Sequence, residues 1–244
     1  MNASKRVDFI KNWITDYVQS MPKKASTLVV GVSGGIDSAV VSTISSMTGL
    51  KTFVLSMPIK QIKTQDDLSK LHCKWLVSNF KNVNYLNVDL DNVFSSFENA
   101  LGKNNSEHAF ANSRARLRMA TLYQVAGSNN GIVVGTGNKV EDFGVGFYTK
   151  YGDGGVDISP IADCTKSQVW EMGEFLEIDH KIISAPPTDG LWVDGRNDED
   201  QLGMTYKELE EAMENPKSKN YDKYLKIREN NLHKMKEIPV CKFD

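Results

Sequence analysis

Leu28-Val29-Val30-Gly31-Val32-Ser33-Gly34-Gly35-Ile36-Asp37-Ser38-Ala39-Val40-Val41 decides how the rest of the chain is read. An apolar, β-branched run enters two adjacent glycines, and Asp37-Ser38 opens a segment with helical spacing. That pattern is a buried strand, a tight turn and a helix N-terminus. Paired glycines let the backbone turn with positive φ and approach a ligand closely. The amides of the first helical turn, with the helix dipole, then favour an anion, most commonly phosphate. The lysine of G-x-x-x-x-G-K-[ST] is missing, so this is not a Walker A loop. Asp37 instead puts a carboxylate where phosphates would gather, which makes chemical sense if it holds Mg²⁺ against them. The plain alternative is an ordinary strand–helix turn with a small-residue cap.

Upstream, Val7, Ile10, Trp13, Ile14, Tyr17 and Val18 recur at helical spacing, with Asp8, Lys11 and Asp16 opposite. This predicts an amphipathic first helix that ends near Pro22. Downstream, strands are expected at 53–55, 85–88 and 132–134. Between them lie helical patterns: one from Thr64 to Phe80, a shorter one with Val93, Phe94 and Phe97, and a long one over 106–126. Alternating strands and helices imply right-handed crossovers and a parallel sheet covered on both faces. Ligands of such sheets sit beyond the strand carboxyl ends, so the loops after Val30 and Val134 form one candidate site if their strands are neighbours. After Glu141, five glycines between 144 and 155 crowd a loop with Lys150, Asp153 and Asp157. Loops of this kind are usually functional or mobile. Thr165-Lys166-Ser167-Gln168 and Thr205-Tyr206-Lys207-Glu208 read as capping boxes that open helices. Residues 185–200 read as a lid or connecting loop, and 220–237 as a charged terminal helix.

A chain of 244 residues, 40% hydrophobic, is long enough to bury one sizeable core, so residues 1–244 are expected to form one domain. With 29 basic against 31 acidic residues, nothing suggests a protein that coats nucleic acid. Cys73, Cys164 and Cys241 are odd in number and widely spaced, which favours a reducing cytoplasm over a disulfide framework. No apolar signal core follows Met1, and no run is apolar enough to span a bilayer. A cytoplasmic protein with no membrane partner is expected.

Ser33-Gly34-Gly35-x-Asp37-Ser38 resembles the pyrophosphate loop of the N-type ATP pyrophosphatases, which cleave ATP to AMP and pyrophosphate while adenylating a substrate. Further motifs, in order, resemble the ammonia-dependent, single-domain NAD synthetases. They are Asn112-x-x-Ala115-Arg116-x-Arg118, Gly135-Thr136-Gly137-Asn138-x-x-Glu141, Phe147-x-Thr149-Lys150-Tyr151-Gly152-Asp153-Gly154-Gly155, Asp157-x-x-Pro160, Thr165-Lys166-x-Gln168, Pro187-Thr188 and His233-Lys234. The resemblance implies an α/β fold, a Rossmann-like parallel sheet of the adenine nucleotide alpha-hydrolase type with helices on both faces. It places the strands around Val30 and Val134 side by side. The implied reaction joins nicotinic acid adenine dinucleotide (deamido-NAD) and ammonia, driven by ATP.

Carried over residue by residue, the resemblance implies that Gly31, Val32, Ser33, Gly34, Gly35, Ile36, Asp37 and Ser38 cradle the ATP phosphates. Thr136, Lys166 and Thr188 would also contact ATP, with Lys166 a mobile positive charge. Asp37 and Glu141 would hold Mg²⁺, and Asp37 and Lys166 would carry the catalysis. Arg116, Lys150, Asp157, His233 and Lys234 would bind deamido-NAD. Family members are homodimers, and the Val7–Val18 stripe is compatible with a partner or with its own sheet. No amidase-like segment is present in the sequence, so free ammonia or a separate donor is expected to supply nitrogen.

Several of these positions have a simpler structural role available. Arg114, Arg116 and Arg118 fit a solvated helix face, His233 and Lys234 fit a surface helix, and Asp157 fits a turn. The segment after Glu141 is slightly longer than in most relatives, so Asp142 competes with Glu141 for the metal. Asp153 and Asp189 are candidates, from charge alone, to take a proton from ammonium. Two other functions share the loop. A tRNA-modifying adenylase is disfavoured by the cysteine spacing and the net charge of −2. A nucleotide sensor would not need both carboxylates and Lys166.

Overall fold

The computed structural model describes residues 1–61, 63–188 and 197–243. Its first half alternates as the hydrophobic pattern requires: α1 (Ala3–Ser20), β1 (Thr27–Gly31), α2 (Ile36–Met47), β2 (Lys51–Ser56), α3 (Lys63–Asn79), β3 (Val83–Asn87), α4 (Asp91–Leu101), α5 (Glu107–Ser128) and β4 (Gly131–Val133). The strands are parallel in the order β3-β2-β1-β4. Leu28 pairs with Ile132 and Val29 with Val133, so the strands behind the two glycine loops are neighbours, as the resemblance implied.

Side chains of β1 alternate between two layers, as a strand's period of two dictates. Leu28 and Val30 pack with Val7, Ile10, Ile14 and Val18 of α1 and with Ala39 and Val40 of α2. Val29 points the other way, among Leu55, Phe94 and Ala126. All three β1 side chains are fully buried, and each such residue stabilises the fold by about 1.5–3 kcal/mol. The apolar stripe of α1 is therefore used on its own sheet, while Phe9, Trp13 and Tyr17 stay exposed.

Beyond β4 the chain forms a π-helical turn (Lys139–Val145), then α6 (Lys166–Phe175), α7 (His180–Ile183), α8 (Asp198–Leu202), α9 (Tyr206–Glu214) and α10 (Tyr221–Met235). The π-turn corrects the expectation of plain loop after Glu141. A π-turn carries more residues per turn than an α-turn and recurs at functional sites. The turn packs with α9 and α10 around Val140, Val145, Tyr206 and Leu209, a small second core that braces the sheet's carboxyl end. Of the expected 185–200 lid, residues 189–196, Asp189 included, lie outside the described residues, and its last residues are helical in α8 rather than loop.

Candidate active site

The 31–38 loop is held in shape by its own hydroxyls. The Ser33 amide donates to Ser38 Oγ at 3.1 Å, and Ser38 Oγ donates to the Gly35 carbonyl at 2.9 Å. Gly34 takes φ +95°, and a Cβ there would stand 2.7 Å from the Gln65 carbonyl oxygen, so the turn against α3 requires glycine. Asn2, Ser106, Thr165 and Thr205 cap their helices with side chains, whereas α2 begins at Gly35 with no side-chain cap. Its first-turn amides face the cavity and favour an anion.

Three charged side chains from three elements meet beside this loop. Asp37 lies in the first turn of α2, and Lys166 is the first residue of α6, set there by the Thr165–Gln168 capping box. Glu141 projects from the π-turn. Lys166 Nζ donates to Asp37 Oδ2 at 2.6 Å and to Glu141 Oε1 at 2.8 Å. Asn138 organises the other side. Its Nδ2 donates to Asp37 Oδ1 at 3.1 Å, while its Oδ1 accepts from the amides of Val140 and Glu141. Tyr206 completes the cluster, its hydroxyl donating to Glu141 Oε1 at 2.6 Å.

Burial would strip the proton from Lys166, but the Asp37 and Glu141 carboxylates outweigh it and hold the ammonium above the ordinary lysine range. Burial also raises Glu141, yet Lys166, Tyr206 and Asn138 prevail and keep its carboxyl below its usual value. Asp37 sits above its usual value, burial and the Glu141 charge together exceeding the pull of Lys166. Asp142 is pushed well up by burial, then by Asp153, Glu141 and Asp37. Two carboxyl groups thus face the one ammonium at its centre.

No group of three or more His, Cys, Asp or Glu side chains poised to hold a metal occurs among the described residues. Asp37 and Glu141 instead form a carboxylate pair open to phosphates, the donor set Mg²⁺ accepts when a nucleotide supplies the remaining oxygens. Asp142 lies one step aside: a Cβ on Gly137 would fall 1.9 Å from Asp142 Oδ2, so glycine at 137 is what lets this carboxylate lie there.

One cavity of about 240 Å³ gathers the proposed ATP residues. Gly31, Val32, Ser33, Gly35, Ile36, Asp37, Ser38, Thr136, Lys166 and Thr188 line it together with Glu141; Gly34 supports the turn from behind. Asp142 and Asp153, weighed above as a rival metal ligand and a proton acceptor, also line it; Arg118 and Phe147 line it too and were given no site role, though both stand inside motifs quoted above. Arg114, by contrast, is buried over the Phe94 ring.

The five proposed dinucleotide residues are absent from that lining and cluster around the 148–157 turn and α10. Arg116 donates to the Lys150 carbonyl, Lys150 Nζ to the His233 carbonyl, and Lys234 Nζ to the Tyr148 carbonyl. Asp157 accepts the Val133 amide at 2.7 Å and the Tyr123 hydroxyl at 3.1 Å, so these bonds tie it to β4 and α5 rather than to its own turn.

A family model described as NAD synthase matches residues 6–242. An NH(3)-dependent NAD(+) synthetase of Finegoldia magna is 36% identical over 246 aligned residues, covering 100% of this chain and 98% of the relative. One of Carboxydothermus hydrogenoformans is 37% identical, covering 86% and 85%. Among solved structures, an NMN synthetase from Francisella tularensis matches with a TM-score of 0.91 at 30% identity, covering 100% of both chains.

Proposed function

The chain belongs to the NAD synthase family, and from that premise we propose how its residues perform the family's reaction. It is a ligase that forms a carbon–nitrogen bond, amidating deamido-NAD to NAD with ammonia and ATP. The observation that carries this reading is the meeting of Lys166, Asp37 and Glu141 at the mouth of the 31–38 loop.

A carboxylate is a poor electrophile, so its oxygen must first become a leaving group. The nicotinate oxygen attacks the α-phosphorus of ATP, pyrophosphate departs, and an acyl adenylate forms. Ammonia then attacks the acyl carbon, AMP leaves, and a proton is lost. The uncapped amides of α2 would receive the phosphates, and Lys166 would follow the charge that builds on the departing pyrophosphate. Thr136 and Thr188, across the cavity, would complete the ATP contacts. Mg²⁺ held by Asp37 and Glu141 would neutralise phosphate charge. Asp153, which lines the same cavity, would take the ammonium proton. Arg116, Lys150, Asp157, His233 and Lys234 would shape the dinucleotide's binding surface, supported by their grouping around one turn.

The same considerations support a homodimer, for which Phe9, Trp13 and Tyr17 are exposed, and a reducing cytoplasm, since all three cysteines are free thiols. Among the described residues no helix is long and apolar enough to cross a membrane. We take residues 1–244 as one functional unit without a nucleic-acid partner.

A second reading concerns only the acyl substrate. The full-length match to an NMN synthetase, together with the internal bonds already made by Lys150, Lys234 and Asp157, favours nicotinic acid mononucleotide as an alternative acceptor. The mononucleotide carries the same carboxylate without the adenylate half.

The test is product formation from deamido-NAD, ATP, Mg²⁺ and ammonium. Equal yields of NAD, AMP and pyrophosphate are expected, lost in Asp37→Ala and absent with glutamine as nitrogen source. An equimolar mixture of both acids, followed by chromatography, decides the acceptor. Pyrophosphate release driven by tRNA, or ATP binding without turnover, would replace the reading altogether.

A further inference from the structure

Tyr206 has no part in the reaction as described so far, yet it touches both charges at its centre. Its side chain is 1% exposed, and its hydroxyl lies 2.6 Å from Glu141 Oε1 and 3.2 Å from Asp198 Oδ2. A phenol has a single proton to donate, and the shorter contact assigns it to Glu141. The Glu141 oxygen that accepts it also accepts Lys166 Nζ. Lys166 Nζ stands 4.9 Å from the centre of the Tyr206 ring, within cation–π reach. The ring is itself fixed, edge-on to Trp170 at 5.9 Å. Its backbone is anchored too: Thr205 caps α9, and the Tyr206 amide donates to Glu199 Oε1 at 2.9 Å.

These contacts make one rigid aromatic that faces a carboxylate with its hydroxyl and an ammonium with its ring. We propose that Tyr206 is a positioning residue for the adenylation step. Its hydroxyl fixes the Glu141 carboxylate, and its ring seats Lys166, so Glu141 keeps its orientation when Lys166 turns from it towards the phosphates. A carboxylate that loses a hydrogen-bond partner gains rotational freedom and holds a cation less well, the usual effect of removing a group that orients a metal ligand. The inference rests on the reading of Glu141 as a metal ligand given above.

Tyr206→Phe keeps the ring and its packing and removes only the hydroxyl. Two readouts are compared with the unsubstituted protein: the Mg²⁺ concentration for half-maximal rate at saturating ATP, and the Mn²⁺ dissociation constant with a non-hydrolysable ATP analogue, read by electron paramagnetic resonance. Both are expected to rise about tenfold, the range typical of such partners, with the half-saturating ammonia concentration unchanged. In a Glu141→Gln background the same substitution is expected to add less than about twofold, because the group through which it acts is already altered. Unchanged Mn²⁺ affinity in Tyr206→Phe, or an equal loss in both backgrounds, would overturn the proposal. A protein that releases no pyrophosphate would overturn the assigned reaction instead, and the Mn²⁺ comparison would still decide the role of Tyr206.

Discussion

Lys166 and Asp37 stand 129 residues apart in the chain and 2.6 Å apart in the fold. The ammonium occupies the gap between two carboxylates that the same geometry offers to a divalent cation. On the proposed reading, lysine and metal are alternative partners for Asp37 and Glu141, and metal–nucleotide binding would free Lys166 for the phosphates.

Removing the ammonium leaves two buried carboxylates facing each other. Lys166→Met is expected to lower stability by about 3–5 kcal/mol, the usual result of breaking a buried pair from one side. Urea unfolding without metal measures this, and Mg²⁺ with ATP should recover part of the loss. The turnover number is expected to fall by roughly 10²–10³, as for other groups that stabilise transition-state charge.

The two neighbouring acids separate by their effect on metal dependence. Glu141→Gln is expected to raise the half-saturating Mg²⁺ concentration about tenfold or more, whereas Asp142→Asn shifts it little, since Glu141 shares Lys166 with Asp37 and Asp142 lies aside against Gly137. Equal effects from both would assign the metal to the pair.

Gly34→Ala tests the loop. The positive φ and the 2.7 Å approach to the Gln65 carbonyl both oppose a Cβ, at a cost of about 1–3 kcal/mol in strain. A lower unfolding midpoint and weaker ATP binding by calorimetry are expected together, because the strained turn belongs to the proposed phosphate cradle.

Acid sensitivity should trace to a residue outside the proposed site. His72 is 2% exposed, beside Ser42 Oγ at 3.1 Å and the Ala39 carbonyl at 3.2 Å. Burial lowers its pKa from 6.5 to about 4, against the weaker opposing effect of the Ala39 hydrogen bond. The unfolded chain thus takes up the proton more readily than the folded one. Stability is full above about pH 6.5 and falls as the pH drops towards 4, by up to about 3 kcal/mol. Urea titrations between pH 7 and 4 on the unsubstituted protein and on His72→Gln check this, the variant lacking that component of the slope.

Sequence and tertiary structure divided the work according to the range of the forces involved. The β1 strand, the Gly34-Gly35 turn, the start of α2 and the capping boxes at Thr165 and Thr205 are legible in the chain because each depends on neighbours a few residues away. The apolar face of α1 was equally legible, but which surface it covers was not, since its own sheet and a partner offer the same apolar environment. The π-turn at 139–145 was not legible in the sequence, because nothing in local propensity distinguishes it from loop. The meeting of Asp37, Glu141 and Lys166, the hydroxyl of Tyr206 upon Glu141, and the use of Lys150, Lys234 and Asp157 in internal bonds belong to the folded state alone. Charge and hydrogen bonding act across space, and their partners exist only once the sheet and the second core have brought distant residues together.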